Sequence, residues 1–143
     1  MNPTQKKGGL TAGAPGSLSI LVVEDHPDSR RGLEMFLQLL GHQTKLAADL
    51  KEALQMAAAG SRFDLLLSDL RLPDGNGWDL LRRLEEAGWR PKHAIAISGW
   101  GSETDLAKSK NAGFQAHLIK PLAPEALKTT LEGVATAILA KEN

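Results

Sequence analysis

Cysteine is absent from the 143 residues. That removes disulfides, thiolate zinc sites and thiol nucleophiles. No charge of one sign prevails, because 17 Lys and Arg balance 17 Asp and Glu. These charges are spread along the chain, which argues against a basic nucleic-acid face, an acidic tail or an electrostatic membrane anchor. No apolar run approaches the length of a membrane span. The opening "MNPTQKKGGLTAGAPGS" carries lysines but no apolar core, so it is not a secretory signal. Its Gly, Pro, Ser and Thr content reads as a flexible leader over residues 1–17. There is no G-x-x-x-x-G-K-[ST] phosphate loop, and the four histidines show no zinc spacing. A reducing, cytoplasmic setting fits a chain without cysteine. Residues 18–143 suffice for one domain with a sizeable core.

From Leu18 onward the sequence alternates between two periods. "LSILVVE" is a short β-branched apolar run and predicts a buried strand. Leu33, Phe36, Leu37 and Leu40 then fall at i, i+3, i+4 and i+7, one face of a helix closed by Gly41. "HQTKLA" predicts a weaker, half-polar strand. Asp49 with Glu52 forms a capping-box pattern ahead of the stripe Leu50, Ala53, Leu54 and Ala57. "FDLLLSD" is a second strong strand, "PDGNG" a turn and "WDLLRRLEEAG" a helix. "HAIAIS" predicts a strand, Ser102 and Asp105 cap a helix reaching Gly113, and "AHLIK" predicts the last strand. Leu127, Leu131, Val134 and Ile138 mark a final amphipathic helix.

Five strand–helix units in succession predict a parallel sheet covered on both faces. Right-handed crossovers make it a doubly wound three-layer α/β sandwich. The half-polar second strand belongs at an edge. That favours the flavodoxin-like order 2-1-3-4-5, which buries the strongly apolar strands 1, 3 and 4.

In such a sheet, ligands bind beyond the carboxyl ends of the strands, at the switch point between strands 1 and 3. Strand 1 delivers Glu24 and Asp25 there, strand 3 Asp69, strand 4 Ser98 and strand 5 Lys120. Three clustered carboxylates call for a hard divalent cation: Mg²⁺, with Mn²⁺ as a substitute. The ion, Lys120 and the hydroxyl together make a site for a phosphoryl group. Asp69 is the best-placed nucleophile, and attack by it would give an acyl phosphate.

At this point the motifs "LVVEDHPD", "LLLSDLRLPDGNGWDLL", "AIAISGWG" and "AHLIKP" match a family. The chain resembles the receiver domain of two-component response regulators from about Leu18 to Ala140, in the manner of stand-alone receivers or those of hybrid histidine kinases. The resemblance implies that Asp69 takes a phosphoryl group from a phosphohistidine on a histidine kinase or phosphotransfer domain. It implies direct Mg²⁺ ligation by Asp25, Asp69 and the backbone carbonyl of Arg71, with Glu24 acting mostly through water. Ser98 would hydrogen-bond one phosphoryl oxygen and Lys120 pair with another, and the Lys120–Pro121 bond would be cis. The domain would be a signalling phosphoacceptor rather than an enzyme, catalysing only its own phosphorylation and dephosphorylation. Output would pass through the face formed by helix 4, strand 5 and helix 5 to a downstream protein partner, with homodimerisation possible and neither nucleic acid nor membrane bound.

Two positions depart from or decorate that pattern. Family members usually carry Tyr or Phe three residues before the lysine, as a rotating switch; here the residue is His117. It reads either as a surface histidine on an edge strand or as an imidazole that swings inward when Ser98 engages phosphate, with a pH-sensitive response. Trp100 lies between Gly99 and Gly101. With Arg71 it flanks the water's approach to the phosphoryl group in this family, so a bulky indole there is expected to slow hydrolysis. Trp78 and Trp89 read as helix packing residues.

Other readings fit less well. A flavodoxin-like FMN site needs bare N–H groups after strand 1, where this chain has "EDHPD". A haloacid-dehalogenase-type phosphohydrolase needs an aspartate two residues past the nucleophile, where Arg71 stands. Asp74, Asn76 and Glu85 mimic a calcium loop, but Trp78 and Asp79 occupy essential positions. The remaining rival is a receiver-like interaction module that no longer needs phosphate. The complete set Glu24, Asp25, Asp69, Ser98 and Lys120 argues against it.

Overall fold

The computed structural model describes residues 16–99 and 101–142. Five parallel strands form one sheet: β1 (Ser19–Val23), β2 (Gln43–Ala47), β3 (Leu65–Asp69), β4 (His93–Ser98) and β5 (Ala116–Ile119). Their order is 2-1-3-4-5. The helices are α1 (Pro27–Leu39), α2 (Leu50–Ala58), α3 (Gly77–Glu86), α4 (Glu103–Ala112) and α5 (Pro124–Glu142). The flavodoxin-like order expected from the half-polar second strand is the observed one, with β2 at one edge and β5 at the other.

Alternation along each strand sorts side chains to two cores. Leu21, Val23, Leu66, Ala94 and Ala96 face one side, under α2, α3 and α4. Ile20, Val22, Leu65, Leu67, Ile95 and Ile97 face the other, under α1 and α5. The predicted stripe of α5, Leu127, Leu131, Val134 and Ile138, is buried throughout. On α1, Leu37 is fully buried, while Leu33, Phe36 and the C-cap residue Leu40 pack at the margin.

The helix starts follow the sequence signals with one shift. The Asp49 carboxylate accepts from Glu52 N–H at 2.8 Å, as a cap requires. The Glu52 carboxylate reaches back to Ala48 N–H at 2.7 Å, one residue beyond the usual capping-box partner, the amide of Asp49 itself. Ser102 Oγ accepts from Asp105 N–H at 3.1 Å, and α4 ends at Gly113 with φ +111°, a left-handed conformation that glycine adopts without penalty.

Two local features differ from the sequence reading. The segment read as a turn contains a two-residue antiparallel ribbon, Arg71–Leu72 against Gly75–Asn76. Gly77, read as part of that turn, is the first residue of α3. Asn76 caps that helix by accepting from Asp79 N–H at 2.8 Å.

Helix α4 is docked differently from the others. Leu106 is exposed, and the helix's only buried residue is Ser109. The other helix stripes are apolar, but α4 sits on the sheet through a serine.

Candidate functional site

Parallel register brings the strand ends level. Val23 pairs with Ser68, Asp69 with Ile97, and Ser98 with Ile119. Glu24 and Asp25 follow β1, Asp69 and Ser98 end their strands, and Lys120 follows β5. These five residues therefore converge at one end of the sheet.

Carboxylate oxygens of Glu24, Asp25 and Asp69 lie within 4.8 Å of one another. Glu24 and Asp69 are buried, whereas Asp25 is exposed. Lys120 Nζ spans the two buried acids, 2.8 Å from Asp69 Oδ2 and 3.1 Å from Glu24 Oε1. Partial burial by itself favours a neutral Lys120. The hydrogen bonds and negative charge of Asp69 and Glu24 outweigh it, so the ammonium is held above its ordinary range.

The second oxygen of each buried acid is also engaged. Glu24 Oε2 accepts from His26 N–H at 2.9 Å, and Asp69 Oδ1 accepts from Arg71 N–H at 3.2 Å. Glu24 is thus held on both oxygens, by a main-chain amide and by Lys120. This answers how a carboxylate is kept at the end of a buried strand, since a buried charge needs a partner for each lone-pair set.

The set fits a hard divalent cation. Three carboxylates crowded together carry charge that a single lysine leaves uncompensated, and all the donors are oxygens. Ser98 is buried beside this cluster, on the strand next to Asp69. The Lys120–Pro121 peptide bond is cis. Trp100 lies outside the described residues.

His117 does not point at the acidic cluster. It stands opposite Ala96 on β5, and its Nδ1 lies 2.8 Å from Ser109 Oγ on α4. Trp78, expected as a packing residue, is half-buried and also donates its indole N–H to Ser109 Oγ at 2.8 Å. Trp89 packs near Phe63, ring centroids 5.9 Å apart.

Two residues that position the site were not singled out in the sequence. Arg30 donates to the carbonyl oxygens of Glu24 and Asp25 at 2.9 and 3.2 Å, tying α1 to the turn that carries both acids. Gly77 lies against the phosphoacceptor candidate: a Cβ there would sit 2.8 Å from Asp69 O and 2.9 Å from Leu70 Cδ2. An arginine five residues past an acid on a helix is a weak signal. A glycine after a turn gives no hint of what it touches.

The family profile described as "Response regulator receiver domain" matches residues 20–132. The sensor protein EvgS of Escherichia coli O157:H7 is 35% identical over 118 residues, covering 82% of this chain and 10% of EvgS. The response regulator protein PilR of Pseudomonas aeruginosa is 37% identical over 119 residues, covering 82% of this chain and 25% of PilR. The chain therefore spans a tenth to a quarter of these relatives. Among solved structures, a CheY-like response regulator receiver domain protein from Methanospirillum hungatei superposes with a TM-score of 0.78 at 27% identity, covering 89% of this chain and 99% of that one. Among the described residues, no helix is long and apolar enough to cross a membrane.

Proposed function

Because the chain belongs to the response regulator receiver domain family, we propose that Asp69 accepts a phosphoryl group from a phosphohistidine on a histidine kinase or phosphotransfer protein. The observation that carries this reading is the Lys120 Nζ bridge to Asp69 and Glu24, within a cluster of three carboxylates.

Asp25, Asp69 and the Arg71 backbone carbonyl would hold Mg²⁺, or Mn²⁺, with Glu24 acting through water. The ion would neutralise charge on the carboxylates and on the phosphoryl oxygens. An Asp69 oxygen attacks phosphorus, and the P–N bond breaks. The electron pair leaves with the imidazole, which takes up a proton. Lys120, kept charged by its neighbours, then pairs with an equatorial oxygen of the acyl phosphate, and Ser98 donates to another. The domain catalyses its own phosphorylation and dephosphorylation and no other reaction.

The response runs through β5. His117 swings toward Ser98 once the hydroxyl engages phosphate. This alters the face of α4, β5 and α5, where a downstream protein partner binds in the cytoplasm.

The test is acetyl phosphate with Mg²⁺, read by mass spectrometry. Wild type gains one phosphoryl group and Asp69→Asn gains none. If wild type shows no gain with acetyl phosphate, and beryllofluoride leaves its tryptophan fluorescence unchanged, the phosphate-independent module is the better account.

A further inference from the structure

The geometry points to a hydrogen-bonded latch, Trp78–Ser109–His117, that fastens α4 to α3 and β5 and is opened by the movement of His117. This inference rests on the phosphoacceptor reading and names the element through which the site reaches the outer face.

Ser109 is 1% exposed, and no apolar residue of α4 is fully buried with it. A buried hydroxyl must find partners. An indole N–H can only donate, so Ser109 Oγ accepts from Trp78 at 2.8 Å. That frees the hydroxyl proton for the imidazole Nδ1 of His117, also at 2.8 Å. The chain therefore runs from α3 through α4 to β5. It is the polar counterpart of the leucine stripes that dock α3 and α5.

The position of His117 makes the chain switchable. His117 pairs with Ala96 on β4, two residues before Ser98, and strand alternation puts all three on the face that α4 covers. An imidazole turned toward Ser98 cannot stay 2.8 Å from Ser109. Its departure removes one of the two bonds at the residue on which α4 rests. In this account Ser109 is a positioning residue: it touches no phosphate and sets where α4 stands in each state. Loss of both bonds shifts the ratio of docked to undocked α4 by about 5- to 30-fold.

The test is ¹⁵N–¹H spectroscopy of the full chain, with and without beryllofluoride and Mg²⁺. The Trp78 indole signal is identified by its loss in Trp78→Phe. In wild type, the mimic is expected to shift the Asp69 region, the Trp78 indole and the α4 amides together. Ser109→Ala is expected to show α4 amides displaced toward the activated positions before any mimic is added, with acetyl phosphate still labelling Asp69. Ser109→Thr, which keeps the hydroxyl, is expected to resemble wild type. If Ser109→Ala does not fold, His117→Phe opens the other end of the chain and is expected to displace the α4 amides in the same direction. The latch is overturned if the mimic shifts the Asp69 region while the Trp78 indole and α4 amides stay put, or if Ser109→Thr behaves like Ser109→Ala. Those results leave the phosphoacceptor reading intact. Failure of wild-type Asp69 to be labelled overturns both.

Discussion

Replacing Gly77 with alanine puts a methyl carbon 2.8 Å from the carbonyl oxygen of Asp69 and 2.9 Å from Leu70 Cδ2, with Leu70 Cα at 3.3 Å. The leucine methyl can rotate aside, but the Asp69 carbonyl belongs to the end of a fully buried strand. Overpacking of this kind costs about 1–3 kcal/mol. Alanine's advantage over glycine in a helix offsets ~1 kcal/mol of that, leaving a net loss of up to about 2 kcal/mol. For a domain of this size the melting temperature should fall by up to about 8 °C. The strain falls on the residue whose carboxylate meets Lys120 and the Arg71 amide, so labelling by acetyl phosphate should slow by about tenfold. Gly133→Ala is the control. Gly133 is a helical glycine with nothing within 4 Å of its would-be Cβ, so alanine there should stabilise by about 0.4–1 kcal/mol and leave labelling unchanged. A Gly77→Ala protein that melts no lower than wild type and labels at the same rate would refute the steric argument.

Three further predictions concern metal, acid and phosphate lifetime. Glu24 already spends both oxygens on His26 N–H and Lys120, while Asp25 is exposed. Glu24→Ala should therefore weaken Mg²⁺ binding by about 10- to 100-fold and Asp25→Ala by more; fluorescence titration giving the reverse order would mean the roles are exchanged. Burial lowers the pKa of His42, whose Nδ1 accepts from Leu18 N–H at 3.0 Å. The unfolded chain then takes up the proton more readily than the native one. Stability should be full above the ordinary histidine value of about 6.5 and decline as pH falls below it. His42→Asn, which keeps an acceptor and loses the titration, should flatten that decline in melting curves. Trp100→Ala should shorten the lifetime of the aspartyl phosphate, read as phosphate release after kinase removal; an unchanged lifetime removes the shielding role.

What could be read from the sequence divides along physical lines. β1, β3 and β4 are short apolar runs without competing periodicity, and each strand appears where the pattern puts it. The acids and the lysine were readable because a parallel sheet aligns the ends of its strands, so position in the chain becomes position in space. The Arg71–Leu72 and Gly75–Asn76 ribbon was not readable, because two pairs of residues leave no period to detect. Gly77 was misread because its role is an approach to Asp69 that only the assembled fold brings about. Ser109 was invisible for a related reason. In a helix that reads "ETDLAKSKNA", nothing distinguishes the one polar residue that is buried from those that are solvated.

The serine under α4 also bears on how the domain opens. Lifting α3 or α5 off the sheet exposes several leucines or isoleucines to water, so those helices separate only when the whole domain unfolds. Lifting α4 breaks hydrogen bonds that water replaces and withdraws no fully buried apolar side chain of its own from the core. Its amides should therefore exchange with solvent through a local opening of low free energy, while those of β1, β3 and β4 wait for global unfolding. The helix hydrogen-bonded to His117 is then also the one that the rest of the fold holds least firmly.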